Sequence, residues 1–463
     1  MSEETKTLRK QLLRDSRSGY DVLEEAQLRR MEDYCADYKA FLGNKTERLS
    51  ARAAIAAAKA HGFVEYRRGM ALEAGDKVYT CNRGKGLMLA VMGRESMAEG
   101  VQIAAAHIDS PRLDLKPNPL YEDSELAYFK THYYGGIRKY QWVTIPLQLQ
   151  GVVVKKDGTA VEVCIGEKGE PQLVITDLLP HLGGEQGKKP LSEAIPAETL
   201  NILLGSRPIG DEDDSDRVKL HVMKRLYDKY GITEADFASA ELEAVPAADA
   251  VDIGIDGSMI GSYGHDDRVC GYAALRALLE LDAPAKTAVC VLADKEEIGS
   301  MGVTGMQSAV FETFLSDLCD SQSVPLKVCF ENSFCLSADV TAAYDPNFAD
   351  VFDKKNAAFL NHGVGLCKYT GARGKSGSSD AGAETVAYVR SLLDGAGVRW
   401  QICELGKVDA GGGGTVAQYM ANRNIATLDA GVPVLSMHAP FEVVAKLDCY
   451  EMYRACKAIY EAR

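Results

Sequence analysis

Short apolar runs recur along this chain with helical patterns between them, and that alternation restricts the fold more than any other feature. Val101–Ala106 and Thr287–Leu292 read as strands buried on both faces, and Leu326–Phe330, Arg399–Cys403 and Val432–Leu435 as further strands of the same kind. Glu24–Leu42 carries apolar residues at helical spacing, and Thr46 is placed to cap an Ala-rich helix ending near His61. Val78–Cys81 and Gly86–Met92 predict two strands joined at Arg83-Gly84. The expected fold is α/β, a mixed, largely parallel sheet flanked by helices. At 463 residues the chain is long enough for two domains. Its text changes character near Pro117, where Val152–Val154 and Val161–Ile165 flank the hairpin signal Lys156-Asp157-Gly158, and changes back near Gly254. The economical organisation is therefore one domain from 1–116 and 254–463, interrupted by a β-rich insertion at 117–253.

Charge and cysteine usage narrow the function classes. Lys plus Arg is 52 against 66 Asp plus Glu, a formal charge of −14, so no nucleic-acid or anionic-membrane partner is expected. None of the twelve cysteines forms a C-x-x-C pair, which argues against a zinc ribbon or thioredoxin-type redox site and for buried thiols in a reducing compartment. The start, M-S-E-E-T-K, has no signal-peptide character, and no run approaches the roughly 18 apolar residues of a membrane span. The expected location is cytoplasmic.

The polar residues that follow the apolar runs carry the chemistry. His107 and Asp109 form His-x-Asp after Val101–Ala106, where ligands of open α/β sheets gather. A metal-binding imidazole commonly leans on a carboxylate; the plainer alternative is a histidine satisfied by an N-cap aspartate. Glu296-Glu297 follows Thr287–Leu292, and adjacent carboxylates there are costly unless a cation or proton relieves them; a solvated loop is the alternative. Asp266-Asp267 precedes the helical pattern Val269–Leu281 and could be a helix cap. Asp339 ends C-L-S-A-D, and His438 follows Val432–Leu435. Together these residues, at the ends of separate strands of one sheet, suit two divalent metals with one His and one terminal carboxylate each and a bridging carboxylate between. Imidazole and carboxylate without thiolate suit catalytic zinc, with manganese or cobalt as alternatives. One glutamate remains as a general base and acid.

The order and wording of these motifs resemble the aspartyl aminopeptidase and vacuolar aminopeptidase I family of dinuclear zinc exopeptidases. The matching text is A-H-I-D-S-P-R at 106–112, Y-G-G at 134–136, G-H-D-D-R at 264–268, D-K-E-E-I-G-S at 294–300, S-A-D-V at 337–340 and S-M-H at 436–438. The resemblance implies the zinc-exopeptidase fold with its inserted domain, and two Zn2+ per subunit. It makes His107 and Asp339 terminal ligands of one metal and Glu297 and His438 of the other. Asp266 would bridge them, with a cis bond to Asp267; Asp109 would orient His107, and Glu296 would be the general base. It further implies a homo-oligomer, a tetrahedral dodecamer, in which His181 of the insertion serves a neighbour's site together with Tyr134–Gly136. Lys368 and Lys375 would bind acidic N-terminal residues of peptide substrates.

Two departures stand out. Relatives place histidines after the aspartate where this chain reads V-T-A-A-Y-D-P-N at 340–347, and Glu185 stands where a second insertion histidine is common. Two phosphate-loop signals fail: Tyr369 occupies the glycine position required before Gly374-Lys375-Ser376, and Gly411–Gly414 lacks dinucleotide spacing. The family instead lines its cleft with such glycines. The expected activity is a metalloaminopeptidase cleaving the N-terminal residue from peptides. The alternatives are a dinuclear amidase acting on N-acyl amino acids and a metal-bound scaffold without turnover.

Overall fold

A computed structural model describes residues 2–14 and 17–463. Its centre is a nine-stranded sheet in the order Val64–Glu65, Lys77–Asn82, Gly86–Val91, Thr287–Ala293, Val101–His107, Phe334–Ala338, Ala426–Gly431, Val364–Cys367 and Trp400–Ile402. The four strands from Thr287–Ala293 to Ala426–Gly431 run parallel, while Gly86–Val91 is antiparallel to them and its hairpin partner Lys77–Asn82 turns back to their direction. The sheet is mixed and largely parallel, as expected. Both faces are apolar because successive side chains point to opposite sides. Leu87, Leu89 and Val91 pack with helices His265–Leu279 and Lys446–Tyr460, and Met88 and Ala90 pack on the other side with Phe311 and Phe314 of helix Val310–Asp320.

Thr46 does cap helix Glu47–Ala60, its hydroxyl accepting from the Leu49 amide, and the helix stops at His61. Leu326–Phe330 is a correction: it lies in the helix Leu326–Glu331, and the strand comes next, at Phe334–Ala338. A short apolar run has no period of its own, and Pro325 at the N-cap favours a helix start here.

A separate six-stranded antiparallel sheet is built from Arg112–Asp123, Leu126–Tyr134, Leu147–Val154, Ala160–Ile165, Ile202–Gly205 and Ala240–Pro246. Val153 pairs with Val161 in the expected hairpin. This sheet has its own core, with Leu113, Phe129, Trp142 and Leu149 against Leu226 of helix Arg217–Tyr230. A third sheet of five short strands contains Met259–Ser262, Glu442–Ala445 and Pro433–Leu435. Among the described residues no helix is long and apolar enough to cross a membrane. All twelve cysteines are free, and ten are buried.

A buried charge cluster joins the first two sheets. Arg112 opens the antiparallel sheet and lies 2.9 Å from Asp114, 3.2 Å from Glu243 and 3.5 Å from Glu47 of the capped helix. Lys85, beside Glu47 at 3.3 Å, adds a second cation. Removing one partner of such a network leaves charges stranded away from water. Arg112→Met should therefore cost roughly 3–5 kcal/mol, read as a lower denaturation midpoint; a change no larger than that of a surface arginine would show the cluster to be well solvated.

Candidate metal centre

Three elements of the central sheet end beside one another. Val101–His107 ends on His107, Phe334–Ala338 runs into Asp339, and Thr287–Ala293 leads to Glu296 and Glu297 in a short 3-10 turn. The other two candidate ligands are a correction to the expectation of a single sheet. Asp266 follows Met259–Ser262, and His438 follows Pro433–Leu435, both strands of the third sheet. The site lies where two sheets meet.

Asp266 is the hub. Its Oδ1 is 3.1 Å from His107 Nε2 and its Oδ2 is 3.1 Å from His438 Nε2. The ligand-type atoms of His107, Asp266 and Asp339 all fall within 4.8 Å of one another, and so do those of Asp266, Glu297 and His438. Asp339 is 4.0 Å from His107 Nε2, Glu297 is 3.7 Å from His438 Nε2, and Glu296 is 3.8 Å from His107 Nε2. The peptide bond from Asp266 to Asp267 is cis. Each triad offers one imidazole, one private carboxylate and one oxygen of Asp266. Either could hold a cation, and neither offers a thiolate.

Electrostatics agree with that fit. Burial and the Asp266 charge push Glu297 well above the usual carboxylate range, and burial with the Asp267 charge does the same to Asp339. Glu297 Oε1 is buried without a hydrogen-bond partner. Glu296 is pushed up to about 7 by burial, only partly opposed by His107. Burial works against charging the histidines, yet hydrogen bonds to Asp109 and Asp266 hold His107 well above its ordinary value, and Asp266 and Glu297 raise His438 to about 11. Burial also raises Asp266, but the two imidazoles outweigh it and keep it ionised. His265, in the same motif, behaves differently: burial lowers it to about 3, and its ring is held by Tyr38 and the Ile260 carbonyl.

A cleft of about 480 Å³ opens over the triads, and Asp266, Glu296, Glu297, Asp339 and His438 all face it. Gly412, Gly413 and Gly414 also line it, with Thr415 and Tyr419. The glycine-rich run thus borders a cleft and no phosphate loop. His181 stands on an exposed loop outside that lining. Lys368 and Lys375 are also outside it, half-exposed and both facing Asp380, at 3.7 and 3.0 Å. Lys375 borders an adjoining hollow that shares Thr370 and Gly412 with the cleft. Tyr134–Gly136 is a further correction, because it packs on its own chain's site: Tyr134 donates to Asp109 at 2.8 Å, and the Gly136 carbonyl accepts from His438 Nδ1 at 2.8 Å.

Sequence reasoning missed Glu442 and Ser110. The two oxygens of Glu442 accept from the Asp266 amide at 3.1 Å and the His438 amide at 2.7 Å. Ser110 donates to the Asp266 carbonyl at 2.7 Å. Ser110 lies inside the A-H-I-D-S-P-R text and was open to notice; Glu442 sits in F-E-V-V, which carries no signal.

Comparison with known proteins agrees over most of the chain. The family described as aminopeptidase I zinc metalloprotease (M18) matches residues 43–460. A protein of Clostridium acetobutylicum named "Probable M18 family aminopeptidase 1" is 48% identical over 450 residues, covering 95% of this chain and 97% of that one. The crystal structure of an M18 family aminopeptidase from Thermotoga maritima superposes with a TM-score of 0.93 at 42% identity, covering 97% of this chain and 99% of that one. The S. cerevesiae mApe1 dodecamer shares the fold, with a TM-score of 0.75 at 21% identity over 93% of this chain and 99% of that one.

The raised groups give a pH expectation. Burial raises Glu297 and Asp339, and hydrogen bonds to carboxylates raise His107 and His438 against their own burial, so all four hold protons more tightly than usual and a cation must compete with those protons. Zinc affinity should therefore rise with pH, and calorimetry in buffers of different ionisation heat should register proton release. A flat affinity from pH 6 to 8 would contradict the charge state described.

Proposed function

The chain belongs to the M18 family of aminopeptidase I zinc metalloproteases, and from that premise we propose a two-zinc site with a glutamate base that removes the N-terminal residue from peptides. The observation that carries this reading is the position of Asp266, with one carboxylate oxygen on each imidazole. His107 and Asp339 would hold one Zn2+, Glu297 and His438 the other, and Asp266 would bridge them. When bound, the zinc pair supplies Lewis acidity toward the scissile carbonyl and an acidified water.

The remaining chemistry belongs to the chain's own groups. Glu296 faces the cleft and belongs to neither proposed ligand triad, and burial raises its carboxyl above the ordinary range, which favours its taking and returning a proton. It would accept the proton of the attacking water and pass it to the leaving amine. Asp109 does not touch the cleft. It holds the Glu296 and Glu297 amides at 3.2 Å and faces His107 Nδ1 at 3.4 Å, so it fixes the base and two ligands together. The backbone at Gly412–Gly414, with no Cβ in the way, would border the extended peptide.

We read 1–116 and 254–463 as the catalytic domain and 117–253 as an inserted oligomerisation domain of a cytoplasmic homo-oligomer, a tetrahedral dodecamer. The related mApe1 dodecamer supports assembly. So does an exposed apolar patch around His181 on the insertion, where Leu178, Leu179 and Leu182 are 54%, 49% and 68% exposed. His181 would reach a neighbour's cleft. A preference for acidic N-terminal residues is proposed from Lys368, which follows the cleft residue Cys367, and from Lys375; a substrate carboxylate would compete with Asp380 for both.

Glu296→Gln keeps shape but cannot accept a proton, so zinc content should survive while turnover falls by roughly 10²–10⁴. Glu297→Gln should lose one zinc equivalent. The wild-type enzyme should cleave free N-termini and spare acetylated ones, with Asp- and Glu-initiated peptides turned over faster than Leu- and Met-initiated ones. Cleavage of the acetylated set alone would establish the amidase, near-normal turnover in Glu296→Gln would remove the base, and faster neutral peptides would remove the acidic preference.

Light scattering with activity across the elution profile tests assembly. Leu182→Asp should yield smaller, less active species, and a fully active monomer would contradict the role given to the insertion.

A further inference from the structure

The strand Leu126–Tyr134 of the antiparallel sheet runs out at the metal centre, and the residues at its end touch both halves of it. Tyr134 donates to Asp109 Oδ2 at 2.8 Å. Asp109 is fully buried, and besides Tyr134 its carboxylate accepts from the Glu296 and Glu297 amides and faces His107 Nδ1 at 3.4 Å. The same nitrogen is 3.0 Å from the Asp109 carbonyl. The Tyr134 hydroxyl is thus the side-chain donor that, with the two amides, fixes how the carboxylate behind His107 is turned.

Two residues on, the Gly136 carbonyl accepts from His438 Nδ1 at 2.8 Å. A carbonyl can only accept, so Nδ1 carries a proton and Nε2, which faces Asp266 and Glu297, is the nitrogen left for a cation. The backbone approaches so closely that a Cβ at Gly136 would sit 3.3 Å from His438 Nδ1. Gly135, at φ +76°, would place one 3.1 Å from Glu297 Oε2.

The segment is itself held firmly. The Arg112 guanidinium stacks 3.8 Å from the centre of the Tyr134 ring, and Arg112 is fixed by Glu47, Glu243 and Asp114. The ring is thus clamped between the buried charge cluster and the metal centre.

We infer that Tyr134 and Gly136 are positioning residues for zinc, one for each half of the site. Tyr134 acts through the Asp109 side chain chiefly on the His107 imidazole, and so on the half built from His107 and Asp339; its hold on Glu297 goes only through that residue's backbone amide. Gly136 acts through its carbonyl on the half built from His438 and Glu297. The antiparallel sheet thereby sets the zinc affinity of a centre whose ligands it does not supply. The inference rests on the dinuclear reading above.

Competitive chelator titration of the purified full-length protein with zinc tests it. The wild type should take up two equivalents. Tyr134→Phe removes one hydroxyl and should weaken one equivalent by roughly 10–100-fold, the usual effect of losing a partner behind a metal ligand. Gly136→Ala sets a methyl against the His438 ring and should weaken one equivalent, and the double variant should weaken both. In Tyr134→Phe kcat should fall with KM unchanged, and excess zinc should restore it. Wild-type zinc affinities in the variants, whatever happens to their metal-free melting temperature, would make these contacts structural only and overturn the inference. A double variant that weakens a single equivalent would overturn the division between halves. A wild type that binds one zinc would overturn the dinuclear reading and this inference together.

Discussion

Acidic groups converge where two sheets meet, and the rest of the site follows from what that convergence demands. Asp109, Asp266, Asp267, Glu296, Glu297, Asp339 and Glu442 surround two imidazoles, and most of these carboxyls are buried. Two like charges 4 Å apart cost about 4 kcal/mol even at an effective dielectric of 20. Several such pairs would rival the roughly 5–15 kcal/mol that keeps a domain folded. Burial together with the neighbouring carboxylates pushes Glu297 and Asp339 up, while the carboxylates facing His107 and His438 raise both imidazoles against their own burial. Divalent cations resolve the same conflict with the carboxylates ionised, and the donor set of imidazole and carboxylate suits zinc.

Much of this was legible before any coordinates. A histidine, an aspartate and two glutamates at the ends of buried strands are expensive residues in expensive places, and His107, Asp339, Glu296 and Glu297 do end up together. The central sheet was legible for the same reason: strands apolar on both faces, such as Val101–His107, have few other homes. The third sheet was not. Its strands are two to four residues long, as in Thr341–Ala342 and Met259–Ser262, too short to show a period, so the origin of Asp266 and His438 in a second sheet was hidden. Leu326–Phe330 was misread because strand and helix compete for any five-residue apolar run, and only Pro325 tips the balance. Contacts made through the backbone leave least trace. Glu442 works by accepting two amides, and Gly136 by offering a carbonyl, and neither role selects a recognisable side-chain pattern.

The arrangement also assigns different work to the three sheets. The central sheet and the small third sheet each contribute part of the candidate ligand set, so the proposed centre needs them correctly docked. The antiparallel sheet contributes no ligand, yet Tyr134 and Gly136 reach in from its last-but-nearest strand end, and Arg112 anchors that end to the helix Glu47–Ala60. Burying a guanidinium among Glu47, Glu243 and Asp114 has a cost in solvation that apolar packing would not incur. The return is a fixed geometry beside the candidate metal triads.

Anomalous diffraction at the zinc edge, from crystals grown with zinc, tests the central claim most directly. Two peaks should flank Asp266, one about 2 Å from His107 Nε2 and an Asp339 oxygen, the other about 2 Å from His438 Nε2 and a Glu297 oxygen, with Glu296 bound to neither. A single peak, or a peak coordinated by Glu296 in place of Glu297, would contradict it.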